Sequence, residues 1–200
     1  NYGDLAVSAY ALISSTIGSY RILLIGVAEG MQPLASKAYG ASQNGNATPA
    51  ERIAAYDEIR HIRNKAIRTA IAASVLLFLF TIATASFYPA LYGYQGDAAA
   101  AGYHAVMLTA AQLIFTGIVR VTNSFFYAVG KNRYSLFMIY FDPLCLTPAA
   151  LAVLPHFFGT DGIWLTAVIT QFLLNLVAAG MFVRHNAQMK REQAALTKGV

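Results

Sequence analysis

The chain has a single cysteine, Cys145, so neither an intrachain disulfide nor a cysteine-built metal cluster can form, and its apolar setting reads as that of a small buried hydrophobe. Charge is scarce too. Asp, Glu, Lys and Arg make up 12% of 200 residues, about half the share usual in a soluble globular domain, which argues against a water-soluble fold. Signatures of catalysis are missing as well: there is no phosphate loop, CxxC, HExxH or GxSxG. The four histidines, His61, His104, His156 and His185, fall in separate loops or helix ends, where a solvated interface is expected. No metal site, no cofactor and no enzymatic centre are predicted. The chain also lacks the positively charged opening of a signal peptide and an initiator Met, which fits a fragment cut from a longer protein.

What the chain has in quantity is apolar residues, 57% of the total, with a mean hydropathy of +0.50. That excludes a disordered segment. A bilayer core about 30 Å thick is crossed by about 20 mostly apolar residues in a helix. Five runs of that kind occur, at 5–30, 69–92, 103–129, 134–158 and 162–183, and the second and fifth contain no charge. A soluble bundle would need amphipathic stripes, whereas these two are apolar all round. The predicted fold is therefore all-α: a polytopic integral membrane helix bundle of five transmembrane helices, with the lipid bilayer as its first partner.

The basic residues orient it. The 31–68 connection, the 130–133 turn and the 186–200 tail with its preceding Arg184 hold twelve of the fourteen Lys and Arg, while the 93–102 and 156–161 connections hold none. Under the positive-inside rule the spans alternate without conflict, with Asn1 outside and Val200 in the cytoplasm. The same rule explains the net charge of +5 without nucleic acid as a partner. Within the long connection, Thr48-Pro49-Ala50-Glu51 is a capping box with Pro at the first helical position, so a helix starts there. Residues 48–68 are expected to form a short amphipathic helix on the cytoplasmic membrane surface that runs into the second span, after a flexible loop at 40–45. The sequon Asn46-Ala47-Thr48 on that side is read as chance.

Ionisable groups inside spans are costly and face a protein interior or a water-filled cavity. Here they are Arg21, Glu29, Arg120 and Asp142. At about 1.5 Å per residue from the nearest cytoplasmic boundary, Glu29, Asp142 and Arg120 lie at similar depths of about 12, 14 and 16 Å. Arg120 is expected to pair with Glu29, Asp142 or both. The third span carries a polar stripe of Gln112, Thr116, Arg120, Asn123, Ser124 and Tyr127, read as a cavity lining. Shorter stripes, Ser14, Gly18 and Arg21 on the first span and Thr166, Thr170, Gln171 and Asn175 on the last, are accounted for by interhelical hydrogen bonds alone. Pro33 is expected to end the first span and Pro89 the second, and Pro143 and Pro148 to interrupt the fourth.

The stretch 26–34, Gly-Val-Ala-Glu-Gly-Met-Gln-Pro-Leu with Gln32 and Pro33, followed by Ala38-Tyr39-Gly40-Ala41, resembles the end of the eighth helix of multidrug and toxin extrusion transporters. Residues 123–131 are similar to that family's tenth helix and its Gly-Lys turn, and 158–164 to its turn into the twelfth. The resemblance implies helices eight to twelve of a twelve-helix protein whose N-terminal lobe lies outside this chain. It implies a secondary antiporter in a cell membrane, a bacterial inner membrane above all, exporting small organic, often cationic, compounds in exchange for sodium ions or protons. In one sodium-coupled branch an aspartate stands at the position of Ile118 here, so a coupling site of that type is not expected in this lobe. Arg21, Glu29, Gln112, Arg120, Asn123 and Asp142 are the candidate substrate or ion path. An exporter or flippase of lipid-linked saccharides from the same superfamily, and a membrane enzyme or non-transporting membrane subunit, are the competing readings.

Overall fold

The computed structural model describes residues 2–198, so Asn1 and Val200, to which the topology assigns opposite sides, lie outside the described residues. Helix α1 spans Tyr2–Ser42, α2 Pro49–Thr84, α3 Phe87–Leu91, α4 Gly96–Ala110, α5 Gln112–Ala128 and α6 Asn132–Phe141. A π-helical turn at Asp142–Leu146 joins α6 to α7, Thr147–Phe158, and α8 covers Thr160–Lys198. Among the described residues there is no strand. Four helical segments are long and apolar enough to cross a membrane, and α4 with α5, bent by 45°, makes a fifth. The chain is a multi-pass membrane protein.

Several boundaries differ from those the sequence predicts. Pro33 does not end the first helix. It lies inside α1, which continues through Gly40. The proline removes one backbone donor at an exposed position beside Glu29 and Gly30, where the freed carbonyl is open to solvent or lipid headgroups. Residues 48–68 run into the second span as expected, although not as a helix lying on the membrane surface. They are the first half of a 36-residue α2, about 54 Å long, which overshoots the hydrocarbon core. The expected capping box starts it: Thr48 Oγ1 accepts from the Glu51 amide at 3.3 Å while the Glu51 carboxylate accepts from the Thr48 amide at 2.8 Å. Its apolar stripe, Ala55, Tyr56, Ile59 and Ala66, is buried against protein, not lipid. The second span ends at Thr84, before Pro89, which lies within α3. Residues 186–198 continue α8 as helix.

The basic end is packed most tightly. Phe125 and Phe126 are fully buried among Met31, Tyr56, Ile59 and Met189. Arg63 is 7% exposed, with its guanidinium 5.4 and 5.7 Å from the ring centres of Phe182 and Phe125 and donating to Asn186. Tyr56 donates to Glu192 at 2.8 Å, and Gln193 Nε2 donates to the Ile53 carbonyl at 3.4 Å and to Asp57 Oδ1 at 3.3 Å, so α2 and α8 are joined at several points. His185 is also buried, contrary to the solvated position expected of it, and its ring meets Phe125 and Phe126 edge-on at 5.6 and 5.7 Å. Cys145 errs in the other direction, being exposed on the π turn.

Gly117 lets α5 lie directly on α2. A Cβ there would stand 2.2 Å from Ser74 Oγ and 3.0 Å from the Ala70 carbonyl oxygen. Gly117→Ala is expected to destabilise the detergent-solubilised protein by about 1–3 kcal/mol in thermal unfolding, with Ser74→Ala in the same chain restoring part of the loss.

His185 lies beyond the apolar stretch that ends at Val183. Both its ring nitrogens lack a hydrogen-bond partner. Burial, then the charges of Lys131 and Arg63, pull its pKa from 6.5 down to about 4, against a weaker opposite pull from Glu192. The folded protein thus keeps His185 neutral where the unfolded chain takes up a proton. Stability present above pH 6.5 falls as the pH drops from there towards 4. The melting temperature should follow that window, and His185→Phe should flatten it.

Candidate functional site

Away from the basic end the bundle opens into a cavity of about 490 Å³. Its walls come from α1 (Tyr10, Ser14, Gly18, Arg21), the α4–α5 bend (Thr109, Gln112), the π turn with its neighbour (Asp142, Thr147) and α8 (Trp164, Thr166, Thr170, Gln171). The stripe of the first span and Thr166, Thr170 and Gln171 of the last therefore face a cavity together, while Asn175 makes the expected interhelical hydrogen bond, donating to the Phe115 carbonyl at 3.0 Å.

The backbone is irregular where the cavity is widest. At Ala111 the third span breaks and turns by 45°. Just before it, Thr109 Oγ1 donates to the carbonyls of Ala105 and Val106 at 2.7 and 3.3 Å, the side-chain competition that bends helices. In the fourth span Pro148 has no amide to give to Leu144, and the Thr147 amide bonds the Asp142 carbonyl five residues back. The wider turn brings Thr147 Oγ1 within 3.0 Å of Asp142 Oδ1, and Gln171 Nε2 reaches Oδ2 from α8 at 2.8 Å. Both carboxylate oxygens are thus held by neutral donors.

Asp142 and Gln171 also line a second cavity of about 90 Å³, shared with Arg120 and Asn123. Asn123 accepts from Ser135 at 2.7 Å. Of the predicted path, Arg21, Gln112 and Asp142 meet in the large cavity, and Arg120 and Asn123 stand behind Asp142 in the small one. Glu29 joins neither and is exposed. The ion pair expected of Arg120 is not made: among the described residues no carboxylate lies within 4.0 Å of it, and the ion pairs present are Arg60–Asp57 and His104–Asp161. Arg120 does lie within electrostatic reach of Arg21 and of Asp142. The third-span stripe is divided as well, with Thr116 and Ser124 buried and Tyr127 exposed.

Sequence reasoning missed Tyr10, Thr109, Thr147 and Trp164. Thr147 carried a usable signal: it lies five residues after Asp142 and immediately before a proline, the spacing of a π turn and not of an α-helix. No group of three or more His, Cys, Asp or Glu able to hold a metal ion comes together among the described residues.

The motif residues lie elsewhere. Gln32 is half-buried, Pro33 and Gly40 are exposed, and Tyr39 packs at the basic end, its Cε1 3.8 Å from where a Cβ would stand on Gly130, whose φ is +68°. Two stretches far apart in sequence thus meet, helped by Ser36 Oγ donating to the Ala128 carbonyl at 3.2 Å. The family model for MatE matches residues 1–150. The chain belongs to the MatE family. Its fold is similar to a solved structure described as the inward-facing conformation of a multidrug resistance MATE family transporter of the MOP superfamily, with a TM-score of 0.71 and 18% identity. The likeness covers 97% of this MatE chain and 43% of that transporter, so the chain spans less than half its length. A comparison with curated proteins finds no match.

Two measurements check the MatE cavity. In a double-mutant cycle of Asp142→Asn and Gln171→Leu, thermal unfolding should give a coupling of about 1 kcal/mol. With Cys145→Ser as background, Thr170→Cys should react with a membrane-impermeant maleimide, while Leu173→Cys on the exposed apolar face of α8 should not.

Proposed function

We propose that this chain is most of one lobe of a secondary exporter, which moves small organic compounds out of the cell in exchange for sodium ions or protons. One observation carries the reading: polar side chains of the first and last spans, with Gln112 of the third and Asp142 and Thr147 of the fourth, line one cavity large enough for a drug-sized molecule. Membership of the MatE family and the likeness to a multidrug resistance transporter support it.

In this reading the helices carry basic residues at the cytoplasmic end of a bacterial inner membrane, and the cavity lies nearer the other side of the packed Phe125–Phe126 cluster. The second lobe, outside this chain, closes the cavity and supplies the coupling carboxylates. Asp142, held by Thr147 and Gln171, shapes the substrate wall. Glu29, on the exposed surface of α1, has no part in the path.

Norfloxacin accumulation in cells expressing the full-length protein tests this. Expression should lower accumulation, and an ionophore that collapses the sodium or the proton gradient should abolish the effect, which names the coupling ion. Asp142→Asn should slow export several-fold yet leave it dependent on the same gradient. Accumulation unaffected by expression would count against export of this class, and an equal loss in Glu29→Gln would return that residue to the path.

A further inference from the structure

The cavity walls hold more positive charge than they cancel. Arg21 reaches in from α1 and, among the described residues, has no ion pair and no hydrogen bond. Arg120 stands behind Asp142 in the small cavity, also without an ion pair among the described residues, and within electrostatic reach of Arg21. Against these two guanidinium groups the described lining offers one carboxylate, Asp142, whose oxygens already accept from Thr147 and Gln171. A guanidinium cannot shed its proton, and a cation entering here would add a third like charge. An oxyanion would supply the missing counter-charge, and the planar fork of Arg pairs with a carboxylate through two parallel hydrogen bonds. The rest of the wall suits an aromatic body: Trp164 and Tyr10 flank the same space, with Ile13 and Leu151 beside them.

On the reading that this cavity is the substrate site, we propose that it takes an aromatic organic anion, its carboxylate paired with Arg21, its ring against Trp164 and Tyr10, and Arg120 adding to the positive potential from behind. Substrate and coupling ion then do not compete for Asp142.

The test pairs fluorescein, an aromatic carboxylate, with ethidium, an aromatic cation, on the full-length protein. Binding is measured by fluorescence polarisation in detergent and transport in membrane vesicles. Fluorescein should bind about tenfold more tightly than ethidium; Arg21→Met should weaken it by about tenfold and Arg21→Lys by about threefold or less. Ethidium binding as tightly as fluorescein, neither probe binding, or fluorescein binding unchanged by Arg21→Met would each overturn the anion site. If Arg21→Met does not fold, Arg120→Met takes its place: a weaker fluorescein affinity supports the site and an unchanged one overturns it. Fluorescein that binds without being carried leaves the anion site standing and overturns export. Ethidium carried while fluorescein neither binds nor is carried leaves export standing and overturns the anion site.

Discussion

A polar group inside an apolar bundle must be given hydrogen-bond partners, and in this protein they reach Asp142 through a deformation of the backbone. Pro148 cannot continue the α-helical ladder, the turn before it widens to a π-helix, and Thr147 comes to face Asp142. The second donor, Gln171, must come from α8, so the fourth and fifth spans are held at the depth of this one side chain. That bond has consequences beyond its own strength. Helix α7 has no buried residue, and apart from the π turn its packing rests on α8, helped by a hairpin in which Gly162 lies against the Leu154 backbone too closely for any Cβ. With the Asp142 bridge in place, the fourth span stands away from α1 and the space between them is the cavity.

The two halves of the bundle differ in kind. At the basic end, burial is dense and aromatic, and even an arginine and a histidine are enclosed by phenylalanine rings. Towards the cavity, helices are bent or widened, their hydroxyl and amide groups turn inward, and charge is left without a close counter-ion. Much apolar surface on the fourth span remains uncovered within this chain, in keeping with a chain that spans less than half of a related transporter.

The electrostatic pattern follows from the same geometry. Had Arg120 met Glu29, the bundle interior would hold a neutral pair and a free Asp142, and a cationic ligand would be favoured. Glu29 instead points out of the bundle, and Asp142 spends its oxygens on neutral donors. The two guanidinium groups near the cavity thus face one carboxylate, and among the described residues neither forms an ion pair with it.

Composition and local pattern determined that the chain is helical, that it crosses a membrane about five times, and where its basic residues lie, because each of these depends on the residue's own transfer energy and on helical periodicity. The capping box at Thr48 was legible for the same reason: all its partners lie within four residues. The tertiary structure alone decided which stripes share a cavity, that Thr147 and Gln171 hold Asp142, that Arg120 makes no ion pair, that His185 is buried and Cys145 exposed, and that the third span bends at Ala111. Each of these depends on how distant helices approach one another and on how a ladder interrupted by proline or threonine re-forms. Such contacts have no period along the chain, and the energy that selects among them arises only when the helices pack.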